Sequence, residues 1–509
     1  MPPAAVPDDV LTTPFTGYLL RNAREDRPAF TCRTFPGPAD HTLTWPQLLA
    51  RVRGVARELR RVTRPGDRVA IVARQDLGYV TAFLGTLYAG RIAVPLSVPT
   101  GRTNRARIEA AFADATPALC LTSKDLVDKV PPVAARAIED VEPDDAEPPA
   151  AVAMTDPAYL QYTSGSTRRP AGAVISHRAL VASCWQTTRC YRADASTPLV
   201  GWVPFFHDMG LVLLVGTPVF LGSRSVFCTP MEFVRDPRRW IRLLAEHPGA
   251  VTAAPNFAFD LAAEAAADLE PLDLSHVNSL LNGSEPVRAD TVENFARAFA
   301  PFGLPRTAHK PCYGLAEATV FVTSAGDEGP TIAEFDGEPR VSVGRPYGQR
   351  IRVVDQEIQV AGPNLADGYW GRDDVLAPDG WLRTGDLGFV HEGQLYVTGR
   401  RKDLIIVDGR NHHPQDIEAT VEAAHPSVRR AAAFAVRDGR GEGVAVVAGC
   451  SAPGDEVETA VRRAVSAGHD LPLRALWLVR PGEVPRTSSG KVSRAAARER
   501  WWGENGRHD

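Results

Sequence analysis

The chain has 509 residues, 44% hydrophobic and 23% charged, which is too long for one hydrophobic core and implies at least two domains. A formal net charge of −4 leaves no basic footprint for nucleic acid or an anionic membrane surface. The seven cysteines are scattered with no Cys-x-x-Cys pair, Met1 to Pro14 has no basic signal-peptide start, and no apolar run is long enough for a membrane span, so the expectation is a cytoplasmic chain with reduced thiols and no zinc site.

Helix and strand alternate early. Thr44-Trp45-Pro46-Gln47 is a capping box, and Leu48, Val52, Val55 and Leu59 then fall on one helical face. Pro65-Gly66-Asp67 turns the chain into a strand from Arg68 to Val72; a helix from about Asp76 ends at Gly90, and a strand follows from Ile92 to Val94. Strand, helix and strand at this spacing form a βαβ unit, which predicts parallel sheet covered by helices. The Ala/Pro/acid-rich stretch from about Val130 to Thr155 predicts a surface connection. Two strand-like stretches, Ala158 to Tyr162 and Ala173 to Ile175, flank the loop Thr163-Ser164-Gly165-Ser166-Thr167-Arg168-Arg169-Pro170-Ala171-Gly172. Hydroxyls and glycines there let backbone N–H groups converge on a phosphate; the same composition also makes an ordinary turn. Asp290-Thr291-Val292-Glu293 predicts the capped start of a helix, with Val292, Phe295 and Phe299 on one face and Gly303 at its end. Beyond about Arg400 a small α+β unit is expected. It has a strand Leu404 to Val407, a helix near Asp416 to Ala424, and two apolar runs joined by Asp438-Gly439-Arg440-Gly441.

Further motifs follow the loop in order. They are Trp202-Val203-Pro204-Phe205-Phe206-His207-Asp208-Met209-Gly210, Asn282-Gly283-Ser284-Glu285-Pro286, Tyr313-Gly314-Leu315-Ala316-Glu317-Ala318-Thr319 and Thr384-Gly385-Asp386-Leu387-Gly388. Then come Gly399-Arg400-Arg401-Lys402-Asp403, which leads through Gly409-Arg410-Asn411 to Pro414-Gln415-Asp416-Ile417-Glu418, and finally Pro485-Arg486-Thr487-Ser488-Ser489-Gly490-Lys491. Only five of the 57 basic residues are Lys, and two of the five, Lys402 and Lys491, fall inside these motifs, where a flexible point charge differs from the planar fork of Arg. In this order the motifs resemble the adenylate-forming superfamily of acyl-CoA synthetases, nonribosomal adenylation domains and luciferases. Within it they look most like the fatty-acyl-AMP ligase branch, and the resemblance covers the chain from about residue 40.

The resemblance implies an α/β fold: a large domain of several subdomains over residues 1–400, with parallel sheets and helices, and a small mobile α+β domain over 401–509. Lys402 falls at the family's hinge between them; an exposed charge is the other reading. Joining a carboxylate to ATP brings two anions together, so the site needs a triphosphate cradle, Mg²⁺ and a cation on the α-phosphoryl group. By resemblance, Thr163, Ser164, Gly165, Ser166 and Thr167 are the cradle, and Gly283, Ser284, Glu285, Pro286, Tyr313 and Gly314 frame the adenine. Asp386 accepts the ribose hydroxyls, Arg400 assists at ribose or phosphate, Glu317 holds Mg²⁺, and Lys491 supplies the catalytic cation. His207 sits where the acyl pocket meets the nucleotide, or packs beside Phe205 and Phe206.

Look-alikes fall away. His412-His413-x-x-Asp416 is one residue short of the condensation-domain spacing, His207-Asp208 has no further ligand at metal spacing, and no Gly-x-Ser-x-Gly elbow occurs. Two departures remain. Ala171 stands where the family usually has Lys or Arg. The segment Val320 to Gly344 is short where fatty-acyl-AMP ligases carry an extra stretch credited with hindering CoA, and the hairpin from Ile351 to Val360 is trimmed as well. The expected activity converts a fatty or other apolar carboxylic acid and ATP to acyl-AMP and pyrophosphate. The acyl group then passes to the phosphopantetheine thiol of an acyl carrier protein, in lipid or natural-product biosynthesis. An acyl-CoA synthetase and a catalytically silent adenylate-binding protein are the alternatives. Pro255-Asn256-Phe257-Ala258-Phe259-Asp260 matches the ligase branch, and no Asp reads as placed for an α-amine.

Overall fold

The computed structural model describes residues 5–35, 40–99, 101–162, 171–335, 337–372, 376–407, 410–438, 441–487 and 490–503. The candidate cradle Thr163, Ser164, Gly165, Ser166 and Thr167 lies outside the described residues. The capping box forms as expected: the Thr44 N–H donates to Gln47 Oε1 at 3.0 Å and opens the helix Trp45–Val62, whose Leu48, Val52, Val55 and Leu59 are buried. Strand Arg68–Val72, helix Leu77–Tyr88 and strand Ile92–Leu96 make the βαβ unit, with the two strands paired in parallel. Asp76 caps its helix by accepting the Tyr79 N–H at 3.1 Å.

Among the described residues, a six-stranded sheet runs in the order Ala135–Ala137, Leu119–Thr122, Arg68–Val72, Ile92–Leu96, Pro157–Tyr162, Gly172–Ser176. A nine-stranded sheet runs Arg345–Pro346, Thr323–Ser324, His309–Tyr313, Ser279–Gly283, Val251–Pro255, Leu199–Gly201, Ser225–Phe227, Pro28–Cys32, His41–Thr44. In the nine-stranded sheet the strands from His309–Tyr313 to Pro28–Cys32 are all parallel, so their carboxyl ends open on one edge, where such sheets bind ligands. A third, antiparallel sheet of Arg350–Val354, Glu357–Ala361, Leu382–His391 and Gln394–Arg400 contains the expected hairpin and sets Asp386 opposite Arg400.

Two expectations need correction. The stretch from Val130 to Thr155 does more than connect. Ala135–Ala137 adds a parallel edge strand to the six-stranded sheet, and Asp144 and Glu147 form ion pairs with Arg57 and Arg60 of the helix Trp45–Val62. The capping box at Asp290–Glu293 does not form: helix Ala289–Phe299 starts two residues earlier, with Arg288 in place of Asp290 as its N-cap and no side-chain cap. Arg288 is anchored instead, its N–H on Asn256 Oδ1 at 3.2 Å and its guanidinium on Asp260, while Glu293 is drawn to Arg306 at 2.6 Å.

After Arg400 the chain builds its own core around Ile405, Ile417, Val421, Val446 and Val461. Helices Pro414–Ala423 and Asp455–His469 pack on the sheet of Val428–Asp438, Gly441–Cys450 and Leu473–Val479. Charged clamps join this unit to the rest. Arg340 holds Asp416 through two bonds of 3.0 and 2.9 Å, and Arg288 bridges Asp260 at 2.9 Å and Glu422 at 2.8 Å.

Candidate active site

The parallel strands deliver the motifs to one crevice. Gly283 ends its strand where a Cβ would lie 2.7 Å from Cys312 Sγ and 2.9 Å from the Cys312 carbonyl oxygen, so a side chain would push the neighbouring strand away. Ser284 follows in the left-handed region at φ 70°, Glu285 accepts the Phe257 N–H at 2.7 Å, and Pro286 is exposed. Tyr313, at the end of the next strand, donates its hydroxyl to Asp386 Oδ2 at 2.7 Å. The other Asp386 oxygen meets Arg400 Nε at 3.0 Å; the carboxylate side chain is 7% exposed and the Arg side chain 53%. Burial and then Asp386 push the Tyr313 hydroxyl well above its ordinary value, and Asp386 is the main cause raising Arg400. A buried carboxylate with donors already aimed at it is a ready acceptor for further hydroxyls.

Behind this trio the backbone is strained. Thr319 and Val320 take φ of 48° and 77°, which β-branched residues resist at a cost of about 1–3 kcal/mol each. Side-chain bonds hold the turn: Asn364 Nδ2 donates to the carbonyls of Ala318 and Phe321 at 2.8 and 2.9 Å, and Ser183 Oγ donates to Thr319 O at 2.5 Å. Gly314 must lack a side chain, because its Cβ would overlap the Val320 carbonyl oxygen at 1.4 Å. Gly314→Ala is therefore expected to lower stability by at least about 3 kcal/mol, read from the denaturant midpoint. An unchanged midpoint would mean that the turn moves aside freely.

Glu317 accepts the Tyr369 hydroxyl at 2.7 Å, and Tyr369 bridges to Ala173 in the strand that follows Ala171. Among the described residues no cluster of three or more His, Cys, Asp and Glu forms a metal cage.

The segment Trp202–Gly210 is held from below by Gln75. Its amide donates to the carbonyls of Trp202 and Cys228 at 3.2 and 2.9 Å and accepts the Phe205 N–H at 3.1 Å. Phe205 packs into the core on Tyr79 and Phe227. His207 does not join it. Its Nδ1 lies 2.6 Å from Asp208 Oδ1, at the start of the short helix Asp208–Leu211. Burial would raise the Asp208 carboxyl, but His207 and then Lys491 outweigh it and bring it down to about 2.

Lys491 arrives from the C-terminal unit. Burial lowers its ammonium below the ordinary value, while Asp208 and Glu285 act against that. Lys402 is exposed in the turn Arg401–Asp403 between the two units. The structure thus brings Asp208, Ser284, Glu285, Tyr313, Gly314, Asp386, Arg400 and Lys491 together; Glu317 stands beside them and Lys402 apart. A mainly apolar pocket opens between Asp208, Met209, Ser284, Tyr313 and Gly314. Asp208 was not expected in its wall; its carboxylate is occupied by His207 and by the Met209 N–H at 2.8 Å. Asp416 in turn is bound by Arg340, which accounts for it without the condensation-domain reading.

The chain matches the family model of AMP-binding enzymes over residues 20–370 and that of the Disco-interacting protein 2-like AMP domain over residues 402–508. It is 38% identical to the long-chain-fatty-acid–AMP ligase FadD26 of Mycobacterium marinum, covering 95% of this chain and 96% of that one. It is also 38% identical to the 4-hydroxyphenylalkanoate adenylyltransferase of Mycobacterium tuberculosis, covering 92% of this chain and 87% of that one. Among solved structures it is similar to the fatty acyl-adenylate ligases studied from E. coli and L. pneumophila, with a TM-score of 0.87, 29% identity and coverage of 98% and 99% of the two chains. A complex of the L. pneumophila ligase with acyl adenylate and pyrophosphate is similar at a TM-score of 0.74 and 29% identity, over 95% of this chain and 96% of that one.

Proposed function

The chain belongs to the AMP-binding enzyme family, and from that premise we propose how its own residues divide a ligase's work. It is a fatty-acyl-AMP ligase: a carboxylate oxygen of an apolar acid attacks the α-phosphorus of ATP, the bond to the pyrophosphate oxygen breaks, and acyl-AMP forms. One observation carries the assignment of residues. Lys491, from the C-terminal unit, is half-buried beside Gly490, which lies against Phe257 of the large one, and Asp208, Glu285 and Asp386 of the large unit act on its charge.

Lys491 places its charge on the α-phosphoryl oxygens as negative charge builds there. Asp386 accepts the ribose hydroxyls, a role supported by its burial and by the Tyr313 and Arg400 donors that orient it. Tyr313 and Gly314 with Gly283, Ser284, Glu285 and Pro286 flank the adenine, and Thr163 to Thr167 hold the phosphates. Glu317 would hold Mg²⁺; a single carboxylate suits an ion that keeps its waters and phosphate oxygens as other ligands, and the ion would neutralise phosphate charge. His207 steadies Asp208 where the apolar pocket meets the nucleotide. The pocket receives the acyl chain.

Residues 1–400 and 401–509 act as separate bodies, with the exposed Lys402 at the hinge and the enzyme working in the cytoplasm. Their separate cores and the charged clamps between them support this reading. Arg340→Ala removes the clamp on Asp416, worth about 1 kcal/mol, and should slow adenylation about fivefold. Transfer from preformed acyl-AMP should keep its rate; equal slowing of both steps would contradict the hinge.

The acceptor is the phosphopantetheine thiol of an acyl carrier protein. CoA presents phosphates that need a dedicated cationic surface, whereas a carrier docks through acidic helices, to which the many arginines of this chain are suited. The enzyme is to be supplied with CoA or with phosphopantetheinylated carrier proteins, and thioester followed by mass spectrometry. Carrier acylation is expected. Rapid acyl-CoA formation with every carrier inert would establish the synthetase instead.

A further inference from the structure

The walls of the apolar pocket include Asp208, Ser284 and Gly314 and, together with them, Tyr191, Thr187 and Phe321. We propose that Tyr191 is the floor of the acyl pocket and restricts the enzyme to short acids; this rests on the reading that the pocket receives the acyl chain.

Tyr191 is fixed on several sides. It caps the helix His177–Cys190, with its N–H on Thr187 O at 3.2 Å, and its carbonyl accepts Asn278 Nδ2 at 3.3 Å. The ring is 1% exposed and meets Phe321 edge-on at 6.1 Å and 82°. On its other side the Lys310 ammonium lies 5.6 Å from the ring centre, with a side chain only 4% exposed and Asp327 3.7 Å away. A chain longer than the pocket would have to displace this ring and lay methylenes against a buried ammonium, losing the cation–π contact and leaving the charge poorly solvated. The ring therefore resists displacement by more than its own packing.

The free volume of the pocket it lines is ≈ 50 Å³. At about 10–15 Å³ for each water-sized group this holds roughly four, which fits acids of about four to six carbons. A linear chain twice that length exceeds this volume.

The test is acid-dependent ATP–pyrophosphate exchange on the full-length enzyme, with straight-chain acids from butanoate to hexadecanoate. Wild type should peak at or below about six carbons, with kcat/KM for dodecanoate lower by about 100-fold, the scale on which a closed apolar pocket rejects added methylenes. Tyr191→Phe keeps the ring and should keep the profile. Tyr191→Ala should move the optimum to longer acids and raise dodecanoate activity at least about 10-fold relative to butanoate. Tyr191→Leu, which preserves more of the core, should shift it the same way by a smaller step if Tyr191→Ala does not fold. A wild-type optimum at dodecanoate or beyond, or a folded Tyr191→Leu with the wild-type profile, overturns the proposal and leaves adenylation intact. Exchange that needs no acid, or that occurs with none of them, overturns the reading of the pocket itself.

Discussion

Lys491→Ala should lower the adenylation rate by about 10²–10³, the loss of about 3–4 kcal/mol typical of removing one positioned group that stabilises transition-state charge. The loop that carries the residue is braced by its backbone: Thr487 N–H donates to Lys491 O at 2.7 Å, and Gly490, at φ 87°, lets the chain lie against Phe257. The fold does not depend on the ammonium, which is desolvated where it sits, so the melting temperature should stay close to wild type. Lys491→Arg should also be slow, since a planar fork does not occupy a point-charge position. The pH dependence has a definite sign. The charged form is the active one and burial lowers its pKa from 10.5, so adenylation should decline as pH rises through that lowered value, and the decline should be missing in Lys491→Ala. Transfer of the acyl group from preformed acyl-AMP is expected to survive the substitution. Adenylation near the wild-type rate would remove Lys491 from the mechanism.

Asp386→Asn is expected to cut kcat/KM for ATP by about 10–100-fold, from the loss of charged hydrogen bonds worth about 1.5–3 kcal/mol. The substitution leaves the Tyr313 hydroxyl and the Arg400 guanidinium without their anionic acceptor. Because the Arg400 side chain is 53% exposed, water takes over much of that contact, and the stability loss should stay near about 1 kcal/mol. The specific control is 2′-deoxy-ATP. Wild type should lose most of its activity with the analogue, whereas Asp386→Asn should treat the two nucleotides nearly alike. Equal discrimination by both proteins would place the ribose contact elsewhere.

The residues that face the crevice are legible in the sequence because each belongs to a short motif whose residue types suit the chemistry: Asp386, Tyr313, Glu285, Lys491. Their supports are not. Asn364, fully buried, and Ser183 hold the strained turn at Thr319–Val320, yet they lie 45 and 136 residues from Thr319 in the chain, in no pattern that marks them. Gln75 is equally silent, an amide in a loop that holds the Trp202–Phe205 backbone. Local rules succeed where nothing competes, as in the capping box at Thr44–Gln47. They fail at Asp290–Glu293, where long-range partners of Arg288 and Glu293 override an equally good local signal. Asp208 illustrates a different limit. Its neighbour His207 drew attention as a possible ligand, but only the packing of Phe205 into the core shows that the Asp faces the pocket.

The measurement that bears most directly on the whole account is a single-turnover reaction of enzyme, ATP, Mg²⁺ and a short straight-chain acid, with neither CoA nor carrier protein present. Products would be read by mass spectrometry and pyrophosphate assay. The account predicts one acyl-AMP and one pyrophosphate per enzyme, both strictly dependent on the acid, with AMP and thioester appearing only after a phosphopantetheinylated carrier is added. ADP and phosphate in place of AMP-linked products, or pyrophosphate release indifferent to the acid, would contradict it.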